Sequence, residues 1–275
     1  MGVYDAPQWL LPAFVRSVQA VGGTADPDEI RKVGESLIER WSGPERRFHN
    51  LKHLVSVLAR VDELTEETHE PDAVRLAAWY HGIVFEAGVA AQRANKAGED
   101  EAASADVARD QLVALGVPET CARRVHDMLT HLARHAPNPA DPDTAVLCDA
   151  DLAMLAVEPQ RYKAYVEDLR AEYAHVAPLD FLRVRQRILR KLLARPSLFL
   201  SPLSERWEEP ARQNVTAELA RVEKELAKLE AQQAEQADQA GSDEPAAPAG
   251  PAVAQPPTRP TVTVIPKSVG THPAR

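Results

Sequence analysis

Apolar residues recur along this chain three and four positions apart, the spacing of a helix face. Phe14, Val15 and Val18 share one face of a segment predicted helical over 12–21. Ile30, Val33, Leu37 and Ile38 do the same over 26–41, where Asp26 or Asp28 is placed to cap and Pro27 suits the first turn. Leu54, Val57, Leu58 and Val61 form the buried stripe of a third helix over 51–64, and Pro71 opens a fourth that runs to His81 and Gly82. Residues 88–98 read as a small-residue loop. Further helices are predicted over 100–115, from Pro118 through Leu132, over 149–157, 159–175 and 178–193, and over a long Glu, Lys, Ala and Gln-rich stretch at 210–234. No stretch alternates convincingly with the period of a strand. The pattern therefore predicts an all-α chain of about ten helices.

From Gly241 the pattern stops. Pro, Ala, Gly and Thr dominate and aromatic residues vanish, so this segment cannot bury enough surface to offset its ordering entropy. The organisation expected is a helical domain over 1–205, an exposed long helix over 206–238 and a disordered Pro/Ala-rich tail over 239–275. Leu219, Val222, Leu226 and Leu229 lie near a/d spacing on the long helix, which could dock on the domain or pair with a second copy in a homo-oligomer.

Composition narrows the function. The formal net charge of -9 argues against general nucleic-acid binding. Only Cys121 and Cys148 occur, which suits a reducing cytoplasm rather than a disulfide framework. No apolar run is long enough for a bilayer and no signal-peptide pattern stands at the N-terminus, so no membrane association is expected.

The candidate chemistry lies in three segments. Ala77 to Phe85 is an apolar, aromatic run that buries His81. His49 and His53 are four residues apart and share a face if both are helical. Asp149 and Asp151 stand at a predicted helix start. Two histidines, a third from a buried run and an aspartate make a donor set for a divalent cation if they converge.

These blocks occur in an order that resembles the HD-domain superfamily of metal-dependent phosphohydrolases, in particular a bacterial group of predicted members. They are Phe48-His49-Asn50-Leu51-Lys52-His53, Ala77-Ala78-Trp79-Tyr80-His81-Gly82, Asp100-Glu101-Ala102-Ala103-Ser104-Ala105, Asp149-Ala150-Asp151-Leu152, Tyr162-Lys163-Ala164-Tyr165 and Arg170-Ala171-Glu172-Tyr173. The resemblance covers about residues 41–219. It implies an all-α HD-domain-like helical bundle that hydrolyses a phosphate ester of a small molecule or nucleotide. It further implies a divalent metal (Mn, Fe, Mg or Zn) held by His53 and His81 with Asp149 or Asp151, and His49 as the group that protonates the leaving oxygen. By the same resemblance Glu101 is an acid near the site, and Arg46 or Arg47 could hold the phosphate. One departure matters: the doublet that names the family is His-Asp, and here it is His81-Gly82. Losing a charged ligand weakens metal affinity. Glu86, Glu99 and Glu101 are the nearby acids able to supply an oxygen instead. The alternative expectation is a catalytically degenerate HD domain, its metal lost, kept as a phosphate-ligand-binding or protein-interaction module.

Overall fold

The computed structural model describes residues 6–86, 98–133, 138 and 140–242. The fold is all-α. Among the described residues the helices are α1 (Leu10–Ala20), α2 (Pro27–Trp41), α3 (Leu51–Glu63), α4 (Pro71–Tyr80), α5 (Glu101–Ala114), α6 (Glu119–Leu132), α7 (Pro142–Leu152), α8 (Pro159–Glu172), α9 (Pro178–Leu193) and α10 (Glu205–Ser242). None is long and apolar enough to cross a membrane. Two two-residue strands, β1 (Phe85–Glu86) and β2 (Gly98–Glu99), pair antiparallel with Phe85 opposite Glu99. Strands this short carry no readable alternation, which is why the pattern gave no sign of them.

The helix ends follow local chemistry. The side chains of Asp26, Asn50, Asp100 and Asp141 accept from the backbone N–H of Asp28, Lys52, Ala103 and Thr144 at 2.8, 2.9, 2.9 and 3.2 Å. Such a cap stabilises a helix by about 1 kcal/mol. Proline occupies the first turn of α2, α4, α7, α8 and α9, where its missing N–H costs nothing. At the end of α5, Gly116 turns left-handed (φ 76°), and the Val117 N–H returns to the Leu112 carbonyl at 3.0 Å.

The centre of the bundle is α4. Ala73, Val74, Leu76, Ala77, Ala78, Trp79 and Tyr80 are all buried, and α1, α3, α5, α6 and α7 pack around them. Only Asp72 and Arg75 give this helix a polar side, and a helix so largely apolar is stable only when it is enclosed. Phe14 packs against Trp79 with the rings tilted and their centroids 5.0 Å apart, and the Trp41 indole N–H donates to the Trp79 carbonyl at 3.0 Å. That bond fixes the end of α2 to the last turn of α4, beside His81.

Helix α10 departs from the exposed helix expected over 206–238. It starts at Glu205, and Trp207, Ala211, Val215, Val222 and Leu226 are buried. Polar anchors reinforce the docking. Arg185 of α9 forms a buried bidentate pair with Glu218 (2.6 and 2.9 Å), which also accepts from the Tyr162 hydroxyl at 2.5 Å. Asn214 donates to the carbonyls of Leu155 and Val157 at 2.9 and 2.8 Å. The docking stripe includes Val222 and Leu226, two of the residues whose a/d spacing left docking on the domain open, and Arg185 is engaged beside it. The chain divides into two units, residues 1–231 and 232–275. Of the second, residues 232–242 are helical, and the disorder expected through residue 275 otherwise falls outside the described residues.

Candidate metal centre

Three elements deliver the site. Asn50 caps α3, so His53 falls in its first turn, while His49 precedes the cap and is not helical. The condition for a shared helix face is therefore not met; His49 and His53 flank a loop-to-helix corner that still leaves their rings 5.6 Å apart. His81 ends α4, with the left-handed Gly82 (φ 57°) behind it. Asp149 and Asp151 lie in the last turn of α7, not at a helix start, because α7 begins at Pro142.

His53, His81 and Asp151 converge, with one ligand atom from each within 4.8 Å of the others. The two imidazole Nε2 atoms are 3.1 Å apart, and Asp151 Oδ1 lies 3.3 Å from that of His53 and 3.8 Å from that of His81. A cation bonded to nitrogen and oxygen at about 2.0–2.2 Å spaces its ligands by roughly 3 to 3.5 Å, close to the spacing found. His81 Nδ1 lies 2.5 Å from the Ala78 carbonyl. Donation there puts the proton on Nδ1 and leaves Nε2 as the free donor atom. Burial, and then the neighbouring His53, push the His81 pKa down to about 4, so its ring is neutral at pH 7, as a ligand must be. The residues fit a divalent cation on a further count. Glu101 Oε1 accepts the Gly82 N–H at 3.0 Å, and its buried Oε2 has no hydrogen-bond partner among the described residues. Burial, then the Glu99 and Asp151 carboxylates, raise the Glu101 pKa well above the ordinary range.

Asp149, the other aspartate considered, points elsewhere. Its buried carboxylate accepts the N–H groups of Leu200 (3.0 Å) and Ser201 (2.7 Å) and the hydroxyls of Ser201 and Ser204. It ties the segment before α10 to α7 and is not part of the histidine cluster. Two residues apart on a helix, the two aspartates face different ways, which spacing alone did not resolve.

His49 stands beside the cluster. Its Nδ1 is 2.5 Å from Glu172 Oε1, and its Nε2 is 3.8 Å from Glu99 Oε2. Burial disfavours the charge, yet Glu99 and Glu172 outweigh it and raise the His49 pKa. Glu172 also accepts the backbone N–H groups of Arg47, Phe48 and His49 at 2.9–3.0 Å. It thus holds the whole loop as well as the ring. The sequence showed Glu172 within a matched block but gave it no role; its partners lie more than 120 positions upstream.

The two arginines separate. Arg46 is buried, and its guanidinium donates to the carbonyls of His49 (2.9 Å) and Gly82 (2.8 Å) between the rings of Trp41 and Phe85. It clamps the His49 loop to the Gly82 turn, which corrects its expected role as a phosphate holder. Arg47 is exposed and lines a cavity of about 230 Å³ with Lys52, His53 and Arg161. A second cavity of about 470 Å³, mostly apolar, is lined by His49, Glu99, Tyr165, Tyr173, Phe181 and Ile188. Of the other histidines, His131 turns its Nδ1 to the Asp127 carbonyl of its own helix at 2.7 Å, and His135 lies outside the described residues.

No protein-family model, no curated protein and no solved structure matches this chain.

Proposed function

We propose that this protein is a metal-dependent phosphohydrolase of the HD-domain type, cleaving a phosphate ester of a small molecule or nucleotide. The observation that carries the reading is the convergence of His53, His81 and Asp151 beside a third histidine, His49, whose charged form its surroundings favour. A divalent cation held by those three residues supplies Lewis-acid chemistry, lowering the pKa of a water and polarising a phosphoryl oxygen. The pair of imidazoles favours Mn, Fe or Zn over Mg. The chain's own groups do the rest. His49, protonated and oriented by Glu172, donates a proton to the leaving oxygen. Arg47, Lys52 and Arg161 give the cavity at His53 a positive lining that suits a phosphate. The apolar cavity at His49 suits the organic part of the ester.

Gly82 supports a second reading, a degenerate domain that binds a phosphorylated ligand or a protein without hydrolysis. Elemental analysis of the purified protein, followed by assays on p-nitrophenyl phosphate and bis(p-nitrophenyl) phosphate, separates the two. Stoichiometric Mn, Fe or Zn with hydrolysis that falls at least about 100-fold in His49→Ala is the expected result. A protein that carries no metal and hydrolyses neither ester, before or after metal is added, overturns the enzyme reading.

A further inference from the structure

The weakest point of the site is Gly82, which has no side chain where a carboxylate is wanted. The space it leaves is filled. An ideal Cβ built on Gly82 would stand 2.1 Å from Glu99 Oε1, 2.8 Å from its Cδ and 3.2 Å from its Cγ. The first distance is shorter than the span from an aspartate's Cβ to its own carboxylate oxygens. Glu99 therefore brings its carboxylate to the volume that an aspartate at position 82 would occupy.

The backbone makes this placement. Phe85 pairs with Glu99 in the two-residue ladder, and the Asp100 N–H donates to the Val84 carbonyl at 2.9 Å. The chain thus returns from β2 alongside the Gly82 turn. Glu101, two residues on, accepts the Gly82 N–H, so the turn is held from its amide side while Glu99 covers its Cα. The other oxygen of Glu99 lies 3.8 Å from His49 Nε2. The Glu99 side chain is a quarter exposed, with rotatable bonds that let the carboxylate adjust by an ångström or two. It is not among the three residues whose ligand atoms lie within 4.8 Å of one another; it stands next to them.

We propose that Glu99 is the relocated fourth ligand of the metal centre, supplying from β2 the carboxylate that Gly82 cannot supply from the end of α4. Gly82 is then required rather than defective: its left-handed φ suits glycine, and any side chain there displaces Glu99. This rests on the metal centre of the preceding section, though not on hydrolysis.

The test is Mn²⁺ binding, followed by the electron paramagnetic resonance signal of the free ion, on the full chain. Circular dichroism confirms that each variant is folded. Wild type should bind one Mn²⁺, and Glu99→Ala should bind it at least about tenfold more weakly. Aspartate tolerates left-handed backbone, so Gly82→Asp in the Glu99→Ala background should restore affinity to within a few-fold of wild type. Gly82→Asp alone, which forces two carboxylates into one volume, should not exceed wild type. Unchanged affinity in Glu99→Ala overturns the proposal, as does a loss that Gly82→Asp fails to restore, since Glu99 would then only support the turn. If wild type binds no Mn²⁺ and His53→Ala behaves identically, the metal centre itself fails, a result distinct from either of these.

Discussion

Asp149 and Asp151 are two residues apart on the same helix turn, and the structure gives them opposite tasks that one pair of variants resolves. Asp149 is 1% exposed and accepts from two backbone N–H groups and two serine hydroxyls. Asp149→Ala removes the acceptor. The serine hydroxyls can rotate, and Ser204 already reaches the Ser201 carbonyl at 2.6 Å, but the amides of Leu200 and Ser201 cannot turn away. A buried donor left unmet costs about 1–3 kcal/mol; the Ser201 amide is buried and that of Leu200 only partly so, so the loss should be about 2–4 kcal/mol. At about 2–4 °C per kcal/mol for a chain of this size, Tm should fall by roughly 5–15 °C. Asp151 faces His53 and His81 and sits close enough to Glu101 to disfavour its ionisation. Asp151→Ala removes one of several like charges, so stability should stay within about 1 kcal/mol of metal-free wild type while cation binding is lost. Thermal unfolding with and without Mn²⁺ reads both effects. Ligand at about 100 times its Kd adds about 2.7 kcal/mol, so Mn²⁺ should raise the Tm of Asp149→Ala but leave that of Asp151→Ala unmoved. A wild-type Tm for Asp149→Ala, or a Mn²⁺-dependent rise in Asp151→Ala, refutes the division of roles.

The other predictions concern the site's support. Glu172→Gln should lower the His49 pKa, read as the titration midpoint of its ring nitrogens by NMR; an unchanged midpoint would mean that Glu172 does not hold the proton there. The raised His49 pKa favours the native state below the unfolded value of about 6.5, and that contribution fades as pH climbs through the folded value. Arg124 of α6 binds Asp141 at 2.8 Å and Asp143 at 3.0 Å, and this pairing, led by the hydrogen bond to Arg124, depresses the Asp141 pKa. Its contribution is present above about pH 3.9 and lost as pH falls below it, so Arg124→Met should be less stable at neutral pH and lose less stability on acidification. A parallel pair of stability–pH curves counts against the bridge. Arg46→Met should lower kcat without weakening phosphate binding, since its guanidinium serves the Gly82 and His49 carbonyls; a selective rise in KM would restore it as a phosphate contact.

Much of this arrangement can be read from the chain, and the parts that cannot have physical causes. Helix α9 runs from Pro178 to Leu193, as its apolar spacing and leading proline predict. Helices with one apolar face declare themselves. Helix α7 does not, because Asp143 through Ala150 are all buried and a segment enclosed on every side has no polar face to mark its period. Its first half was therefore missed and Asp149 was placed at a helix start. The Asn50 cap is readable from an asparagine just ahead of Leu51, in keeping with a helix over 51–64 that leaves His49 outside. Glu172 acts across a long sequence separation and leaves no local signature, whereas Glu99 stands among the three acids near Gly82 that the sequence offers as a source of the missing oxygen.

The acids around the site fall into two kinds, and the difference bears on what the site is for. Asp149 and Glu172 are buried against the chain's own N–H and O–H donors. Such carboxylates are architecture: they fix a segment, although burial is outweighed only at Glu172, where His49 and the donors lower the pKa, while at Asp149 burial outweighs the donors and raises it. Glu99, Glu101 and Asp151 crowd instead around the two facing imidazoles, and burial with their mutual repulsion pushes Glu101 toward its protonated form. Two of the nearby cationic side chains are already engaged. Arg46 is spent on backbone carbonyls and His49 on Glu172. A fold that needed only stability would do better with apolar residues at these positions, since like charges in a buried site cost several kcal/mol unless countered. A divalent cation between His53, His81 and Asp151 would remove that cost, let Glu101 ionise and give Glu99 a reason to lie across Gly82. On this argument the metal completes the electrostatics of the centre of the bundle as well as its chemistry, and the apo protein should be measurably less stable than the loaded one.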